Sequence, residues 1–421
     1  MGNFASSAYP DCSGNIFPFQ LALIAYLQSD RLWSFEPSLQ LWRVLKKIWF
    51  SFKSYVVTFI VFFINFFGGV HCFTTFVFGD SLVDVGNNDY IFTLSKADSP
   101  PYGIDFKPSG GQPTGRFTNG RTISDIIGEY LGAKSFPLPF LAPSKEADTI
   151  YNGINYASGA SGILDETGLL FLGRIPLREQ VKNFEASRDY MVKVKGENET
   201  MEVLKNAIFS LTVGSNDIIN YIQPSIPFFQ RNKASPSDYL DHMVSNLTIH
   251  LKQLHKLGAR KFVVVGVGPL GCIPFVRAVH FVTNEKCSEE VNRLIEAYNF
   301  KLNEVVDQLN LEFGPNTMFV YANSYTVFTK IIVNYQQYGF VNAKQPCCGG
   351  YFPPFICYKD QNQDQNQSSS SFLCDDRSKY VFWDAYHPTE AANIIIAKEL
   401  LDGDETISSP INIRQLHAYR F

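Results

Sequence analysis

The chain has 421 residues, a hydrophobic content of 45% and a formal net charge of −4 at pH 7. This length and apolar content suffice for a large core, and we expect one catalytic domain behind an atypical N-terminal region. The 36 Lys and Arg are outnumbered by 40 Asp and Glu, so no surplus of basic side chains is available to neutralise phosphates. We therefore expect no nucleic-acid partner.

The N-terminal region contains an uncharged apolar run, YVVTFIVFFINFF (55–67), after a basic segment that ends at Lys53. This layout is typical of a secretory signal, and the run is short for a membrane-spanning helix, which needs about 20 apolar residues. We assign residues 53–72 to a signal peptide or a signal anchor. The mature protein is expected to be secreted and extracellular, with no stable membrane span after signal cleavage.

Residues 1–52 do not fit this interpretation, because a signal peptide normally begins only a few residues before its apolar run. They form an atypical N-terminal extension. Two explanations remain open: the extension is a gene-model artefact, or it is real and makes the apolar run an internal signal anchor.

From residue 73 onward, strand-like runs alternate with helix-like runs, which is typical of a parallel sheet with helices on both faces. The predicted strands are 72–79, 149–157, 207–214, 261–268 and 317–324. The predicted helices are 122–132, 237–257, 288–310 and 326–339. We assign residues 73–403 to the catalytic domain and 404–421 to a C-terminal tail. The 37 Phe and 21 Tyr favour core packing, with the alternative that part of them line an apolar groove.

Six of the eight cysteines follow residue 72, and their even number in clusters favours disulfides in an oxidising compartment. Cys272 with Cys287 is the first pair we expect. A zinc site formed by the other four is the alternative, although their spacing lacks a C-x-x-C knuckle. Glycosylation sequons are compatible with export and occur at Asn198, Asn246 and Asn366.

The first strand ends abruptly in small polar residues, in the stretch FGDSLVDVGNNDY (78–90). A β-branched and aromatic run that stops at Gly-Asp-Ser predicts a strand that delivers Ser81 to the mouth of the sheet. A long Pro- and Gly-rich loop follows at residues 99–120. Loops of this length beside a site often shape substrate access.

A general base for Ser81 is available near the C-terminus, in DAYHPTE (384–390). Asp384 precedes His387 by three residues, close enough to accept the Nδ1 proton and leave Nε2 facing Ser81. Pro388 predicts that a helix opens there, which places His387 at a helix N-terminus that disfavours imidazolium. A lone histidine is more often structural, but the neighbouring aspartate and a strand-end serine favour catalysis.

Acyl transfer also needs hydrogen-bond donors for a developing oxyanion. NYASGASGI (155–163) contains Gly159 and VGSNDI (213–218) contains Asn216, each at the end of a predicted strand. The carboxyl ends of neighbouring parallel strands meet at one crevice, so Ser81, Gly159 and Asn216 are expected to lie together. The alternative is that these Gly and Asn residues occur only because turns need their backbone angles. That explanation accounts for any one motif, but poorly for three motifs at successive strand ends.

These motifs, with LGARKFVVVGVGPLGCIP (257–274), occur in an order that resembles the plant GDSL-type esterases and lipases of the SGNH hydrolase superfamily. The resemblance implies an α/β fold, a flavodoxin-like three-layer α/β/α sandwich with a central parallel sheet, and neither a metal nor an organic cofactor. In that family the matching residues are the nucleophile and oxyanion donor Ser81, the oxyanion donors Gly159 and Asn216, and the acid-base pair Asp384 and His387.

We therefore expect a secreted, monomeric serine esterase or lipase that hydrolyses lipid-type or other acyl esters. One alternative uses the same residues with an alcohol acceptor, which makes the protein an acyltransferase. A second alternative is a secreted glycoprotein that kept the fold and lost the chemistry. All five site residues are present, which disfavours the second alternative.

Overall fold

The computed structural model describes residues 73–143, 150–223, 234–282, 286–350, 357 and 373–421. Several features expected from the sequence lie outside these residues: the extension 1–52, the signal segment 53–72 and the sequon at Asn366. Residues 73–421 form one compact unit.

Strands in the described part of the chain form a larger sheet and a separate two-stranded sheet. In chain order they are β1 (Thr75–Gly79), β2 (Leu138–Pro139), β3 (Gly153–Asn155), β4 (Ile208–Thr212), β5 (Lys261–Val265), β6 (Met318–Ala322), β7 (Asn342–Pro346), β8 (Tyr380–Phe382) and β9 (Ser408–Ser409). The larger sheet has the order β2-β3-β1-β4-β5-β6-β9, and all its pairings are parallel except that of β9 with β6.

Helices connect these strands in the manner of a doubly wound fold. They are α1 (Ile123–Tyr130), α2 (Leu177–Lys195), α3 (Glu197–Asn206), α4 (Ser215–Ile222), α5 (Pro236–Lys256), α6 (Pro274–Val279), α7 (Glu289–Phe313), α8 (Ser324–Val333), α9 (Glu390–Asp402) and α10 (Ile413–Ala418). Among the described residues, no helix combines the length and the apolar character that a membrane span requires.

Helices cover both faces of the sheet. One layer contains α2, α5 and α7, and the other contains α1, α8, α9 and α10. A mostly parallel sheet between two helical layers is the predicted three-layer α/β/α architecture, which the structure confirms.

The two faces of the sheet differ in the size of their side chains. On the face toward α2, four phenylalanines stand in register across β1, β4, β5 and β6: Phe76, Phe209, Phe262 and Phe319. Their rings are fully buried, and those of Phe262 and Phe319 stack at 4.3 Å. These four aromatic side chains therefore pack the core. The opposite face carries smaller residues at the adjacent registers, including Val77, Ser210 and Val263.

The structure differs from the sequence predictions at several element boundaries. Ile150 and Tyr151, assigned to a strand, are helical, and β3 begins only at Gly153. Gly153 has φ +107°, and a Cβ there would lie 2.0 Å from the Thr75 carbonyl oxygen, so this close strand approach requires glycine.

The C-terminal segment 404–421, separated from the domain as a tail, belongs to the same compact unit. Its strand β9 pairs with β6 at the edge of the sheet, and Ile413 and Leu416 of α10 are buried. Burial of these side chains explains why the domain continues past residue 403.

Three disulfides join the six cysteines of the described residues: Cys272–Cys287, Cys347–Cys374 and Cys348–Cys357. The first is the pair expected from the sequence. The other two engage all four cysteines of the alternative zinc site, so those thiols are not free to bind a metal.

Candidate active site

Ser81 lies two residues after the end of β1, in a turn that the strand-end glycine makes possible. Gly79 has φ +152°, and a Cβ there would lie 2.1 Å from the Thr212 carbonyl oxygen. The Gly79 N–H donates to Gln180 Oε1 at 2.9 Å, and the Asp80 N–H donates to Thr212 O at 3.1 Å. The main chain that enters this turn is therefore fixed to the neighbouring strand β4 and to α2.

Ser81, His387 and Asp384 form a continuous hydrogen-bonded chain. The Ser81 Oγ lies 2.7 Å from His387 Nε2, and His387 Nδ1 lies 2.8 Å from both oxygens of Asp384. An ionised carboxylate only accepts hydrogen bonds, so the fitting tautomer carries its proton on Nδ1. Nε2 is then the acceptor for the Ser81 hydroxyl.

The setting of His387 differs from the one inferred from the sequence. Helix α9 begins at Glu390, because the Thr389 side chain caps it by accepting from the Ala392 N–H. Pro388 instead forms an isolated β-bridge with Phe382. His387 therefore precedes the cap rather than standing at the first turn of the helix, and the hydrogen bond to Asp384 is what fixes its ring.

Asp384 accepts hydrogen bonds from several groups besides the imidazole. The backbone N–H groups of Tyr386 and His387 donate to Oδ1, each at 2.8 Å, and the Tyr102 hydroxyl donates to Oδ2 at 2.9 Å. Burial raises the pKa of Tyr102 well above its ordinary value, so this hydroxyl remains a donor. The carboxylate is thus held from two directions.

The loop 99–120 provides Tyr102 and also contacts the histidine. The Phe117 ring centroid lies 5.3 Å from that of His387, and Thr118 Oγ1 donates to Pro388 O at 3.1 Å. Sequence reasoning placed this loop beside the site but missed Tyr102, because nothing in a loop sequence identifies a partner 282 residues away. The loop therefore supports the histidine and aspartate as well as lining the cavity.

Asn216 lies in the first turn of α4 and reaches the same cavity. Its Nδ2 donates one hydrogen bond to Ser161 O at 2.9 Å, which leaves its second N–H for a ligand. The Ser81 N–H has no hydrogen-bond partner among the described residues. Both groups are available as donors.

Gly159 is not placed as the sequence suggests. Its N–H donates to Asp84 Oδ2 at 2.9 Å, so it is not free to stabilise a ligand. The next residue, Ala160, lines the cavity with Ser81 and Asn216. Ala160 has φ +65°, an unfavourable angle for a residue with a side chain, and its N–H has no partner within the described ranges.

The stretch DVGNN after Ser81 holds this second turn in place. Asp84 accepts from the N–H groups of Gly86, Asn87 and Gly159. The Asn87 amide donates to the carbonyls of Asn155, the last residue of β3, and of Ala157. The small polar residues that follow the strand are therefore a buried brace. Sequence reasoning identified the motif but not this function.

Burial also affects the carboxyl groups around the site. It raises the pKa of Asp80 and of Asp84 to about 7 and that of Asp217 to about 6. Asp84 and Asp217 each accept three hydrogen bonds, which counteract this effect. Asp80 accepts one from the Leu82 N–H, and its Oδ2 has no partner in the described part of the chain, so we regard Asp80 as the group most disposed to be neutral.

Ser81 and His387 open onto a cavity of about 550 Å³. Its mouth is apolar: Leu94 and Leu170 line it and are each 59% exposed. Across the described ranges, no cluster of three or more His, Cys, Asp and Glu side chains is suited to hold a metal ion. The arrangement is chemically equipped for attack by a serine on an electrophile bound in an apolar cavity.

Comparison with known proteins identifies the family of this chain. The model of the family described as GDSL-like Lipase/Acylhydrolase matches residues 75–400. GDSL esterase/lipase At5g41890 of Arabidopsis thaliana is 67% identical over 349 residues, which cover 82% of this chain and 93% of the relative. GDSL esterase/lipase At4g16230 of the same plant is 48% identical over 81% of this chain and 90% of its own length. The chain therefore belongs to the GDSL lipase/acylhydrolase family and is a carboxylic ester hydrolase.

Proposed function

We propose that the protein is a secreted serine esterase of lipid-type esters, with Ser81 as nucleophile, His387 as general base and Asp384 as the residue that orients the imidazole. The observation that carries this proposal is the unbroken hydrogen-bonded chain from Ser81 Oγ through His387 to Asp384, with distances of 2.7 and 2.8 Å. This is the arrangement by which a buried carboxylate and an imidazole activate a serine hydroxyl.

The reaction follows from this geometry in two acyl-transfer steps. Ser81 Oγ bonds to the ester carbonyl carbon while its proton passes to His387 Nε2, and the imidazolium then protonates the departing alkoxide as the C–O bond breaks. In the second step, a water oxygen bonds to the carbonyl carbon of acyl-Ser81 while a water proton passes to His387 Nε2. The imidazolium then protonates Ser81 Oγ as the bond between Oγ and the acyl carbon breaks, and the carboxylic acid leaves. No oxidant, reductant or cofactor is needed for this balance.

Three donors are proposed to stabilise the oxyanion: the Ser81 N–H, the second N–H of Asn216 Nδ2, and the Ala160 N–H in place of that of Gly159. None of these three N–H groups has a hydrogen-bond acceptor among the described residues, and Ser81, Asn216 and Ala160 all line one cavity. Donors fixed before the reaction stabilise the charge as it develops and need no reorganisation.

An apolar rim around the cavity mouth supports a lipid substrate. Phe92 is 83% exposed and lies beside Leu94, whose N–H donates to Phe171 O at 2.9 Å. This hydrogen bond joins the stretch that contains Phe92 and Leu94 to the loop that carries Leu170. Exposed apolar patches next to a site mark surfaces that contact lipid or protein.

Secretion is supported by covalent and sequence features together. Three disulfides are typical of an oxidising compartment, and the apolar segment 53–72 precedes the domain. Asn198, one of the glycosylation sequons, is exposed at the start of α3. We propose that the domain is exported through this segment.

Hydrolysis of a short p-nitrophenyl ester by the wild-type protein and by Ser81→Ala tests the proposal. We expect the variant to lose at least about a thousandfold in kcat, because the oxyanion donors alone sustain little turnover. Ser99→Ala, an exposed serine, is the matched control. Wild-type turnover by Ser81→Ala would exclude Ser81 as the nucleophile. The same assay with a hydroxylated acceptor separates hydrolysis from acyl transfer to an alcohol.

A further inference from the structure

The cavity at Ser81 extends inward along one face of the central sheet. Ile208, Ser210 and Thr212, which alternate along β4, all line it. They share a face because side chains two residues apart in a strand point the same way. Thr212 lies next to Gly79 in register, close to Ser81, and Ile208 lies at the opposite end of the strand. At about 3.3 Å per residue, β4 alone gives the cavity a depth of about 13 Å.

The second wall of the cavity is formed by the helical layer over this face. Ile123 and Ile127 of α1 line it one helical turn apart, as do Ile396 and Leu400 of α9. Residues four apart lie on one side of a helix, so each helix presents a pair of aliphatic side chains to the cavity. Ile413 of α10 lines its inner part.

Accessibility of Ser210 shows that space is present deep in the fold. β4 is the middle strand of the larger sheet, with β1 and β5 on either side. Its alternate residues Phe209 and Leu211 are buried to 0% and 1% exposure, whereas Ser210 is only half-buried. A residue at the centre of a sheet covered by helices has accessible surface only if a cavity adjoins it.

Small side chains maintain this space. In register across the sheet, the cavity face carries Gly79, Thr212 and Val265, while the opposite face carries the phenylalanine row. Protein interiors are close-packed and tolerate few voids larger than a water molecule. A cavity of about 550 Å³ with aliphatic walls that opens at a reactive serine is therefore a binding site rather than a packing defect.

We propose that this cavity, from Thr212 to Ile413, binds the acyl chain of the ester while its carbonyl carbon is bonded to Ser81. The inference rests on the proposed function and specifies its substrate class: esters of unbranched, long-chain fatty acids, with the alcohol part left at the mouth. An extended alkyl chain fits a deep space with mainly apolar walls, and each buried methylene adds binding energy.

Chain-length selectivity of the wild-type protein and of Ser210→Leu tests this assignment. The substrates are p-nitrophenyl esters with acyl chains of about 4 and about 14 carbons, which differ by about ten methylenes in the surface they bury. We expect the wild-type protein to prefer the longer ester in kcat/KM. Leucine at position 210 fills the middle of the cavity, so kcat/KM for the longer ester should fall at least about tenfold more than for the shorter one.

The controls separate this inference from the proposed catalytic mechanism. Ser237→Leu makes the same exchange at an exposed position of α5 that does not line the cavity, and it is expected to keep the wild-type ratio between the two esters. Ile127→Phe narrows the cavity from the opposite wall and is expected to reproduce the Ser210→Leu effect, which covers the case in which Ser210→Leu does not fold. Fluorophosphonate labelling of each variant reports whether the serine is still reactive.

Two outcomes would overturn the acyl-chain assignment. One is labelled, active protein in which neither Ser210→Leu nor Ile127→Phe changes the ratio. The other is that the variants change the preference between acetate esters of long-chain and short-chain alcohols, and not the preference between long and short acyl chains. That result would place the alcohol part in the cavity. Absence of both labelling and turnover in the wild-type protein would instead contradict the proposed function.

Discussion

Tyr102 donates its hydroxyl hydrogen to Asp384 Oδ2 at 2.9 Å, which joins the loop after β1 to the carboxylate that orients His387. Hydrogen bonds to a charged group are worth about 1.5–3 kcal/mol. The residue is a positioning residue: it contacts Asp384, and through it fixes the imidazole against Ser81.

Tyr102→Phe is therefore expected to lower kcat about tenfold while leaving KM close to its wild-type value, because the hydroxyl acts on the catalytic groups and not on substrate binding. Steady-state kinetics on a short ester measures both constants. Tyr130→Phe on the exposed side of α1 is the matched control. An unchanged kcat in Tyr102→Phe would show that Asp384 needs no support from the loop.

Asn216→Ala is expected to reduce kcat by about 10²- to 10³-fold, the loss that follows removal of one oxyanion donor. Asn220→Ala, one turn further along α4, should retain the wild-type rate. A rise in KM with kcat unchanged would contradict the assignment, since an oxyanion donor acts in the transition state and not in binding the ester.

The assignment of Ala160 rather than Gly159 as a backbone donor can be tested by replacing a single amide with an ester. Lactic acid at position 160 removes the N–H and keeps the methyl group, and glycolic acid does the same at position 159. We expect kcat to fall by about 10²-fold or more for the first replacement. The second should act chiefly on stability, because it removes a hydrogen bond to Asp84. The reverse pattern would restore Gly159 as the donor.

Stability is expected to depend on pH through Asp80. Burial raises its pKa to about 7, while an unfolded aspartate has a pKa of about 3.9. The folded state therefore favours the protonated carboxyl. The contribution of Asp80 to the free energy of unfolding is complete below about pH 4 and is lost as the pH rises through 7.

Asp80→Asn removes this dependence and leaves the Asp84 and Asp217 carboxyls in place in both proteins. The Tm of the wild-type protein should therefore fall relative to that of Asp80→Asn between about pH 5 and pH 8. Thermal unfolding followed by circular dichroism measures this difference. Parallel Tm curves would show that Asp80 is ionised throughout this range.

The apolar rim predicts a difference between dissolved and aggregated substrate. Replacing Phe92 and Leu170 by serine should lower the rate on emulsified long-chain esters several-fold, because less apolar surface contacts the lipid. The rate on dissolved short esters should fall less. Leu311→Ser on α7 is the matched control, since Leu311 is 85% exposed. Equal losses on both substrates would show that the rim does not bind lipid aggregates.

Local sequence signals predicted much of this fold. Helix α7 was expected at 288–310 and spans Glu289–Phe313, because its apolar residues repeat at helical spacing over several turns. The run before Gly79 predicted β1 from its β-branched and aromatic residues. Ser81, Asp384 and His387 were recognisable as candidate site residues because their motifs are compact and lie at ends of elements.

Relationships between distant segments could not be predicted in this way. Tyr102 and Asp84 are recognisable only when the structure shows which carboxylate or N–H each one meets. The conformation of Ala160 and the space beside Ser210 likewise depend on tertiary packing. Periodicity indicates which face of a strand is apolar. It does not indicate whether the helices that cover this face fill the space beside it or leave a cavity.

Fluorophosphonate labelling with mass-spectrometric mapping of the modified residue reports directly whether Ser81 is the nucleophile. We expect a single adduct on Ser81 in the wild-type protein, strongly reduced labelling in His387→Ala, and none in Ser81→Ala. A folded wild-type protein that is not labelled, or an adduct on a different serine such as Ser215 or Ser324 at the same cavity, would contradict it.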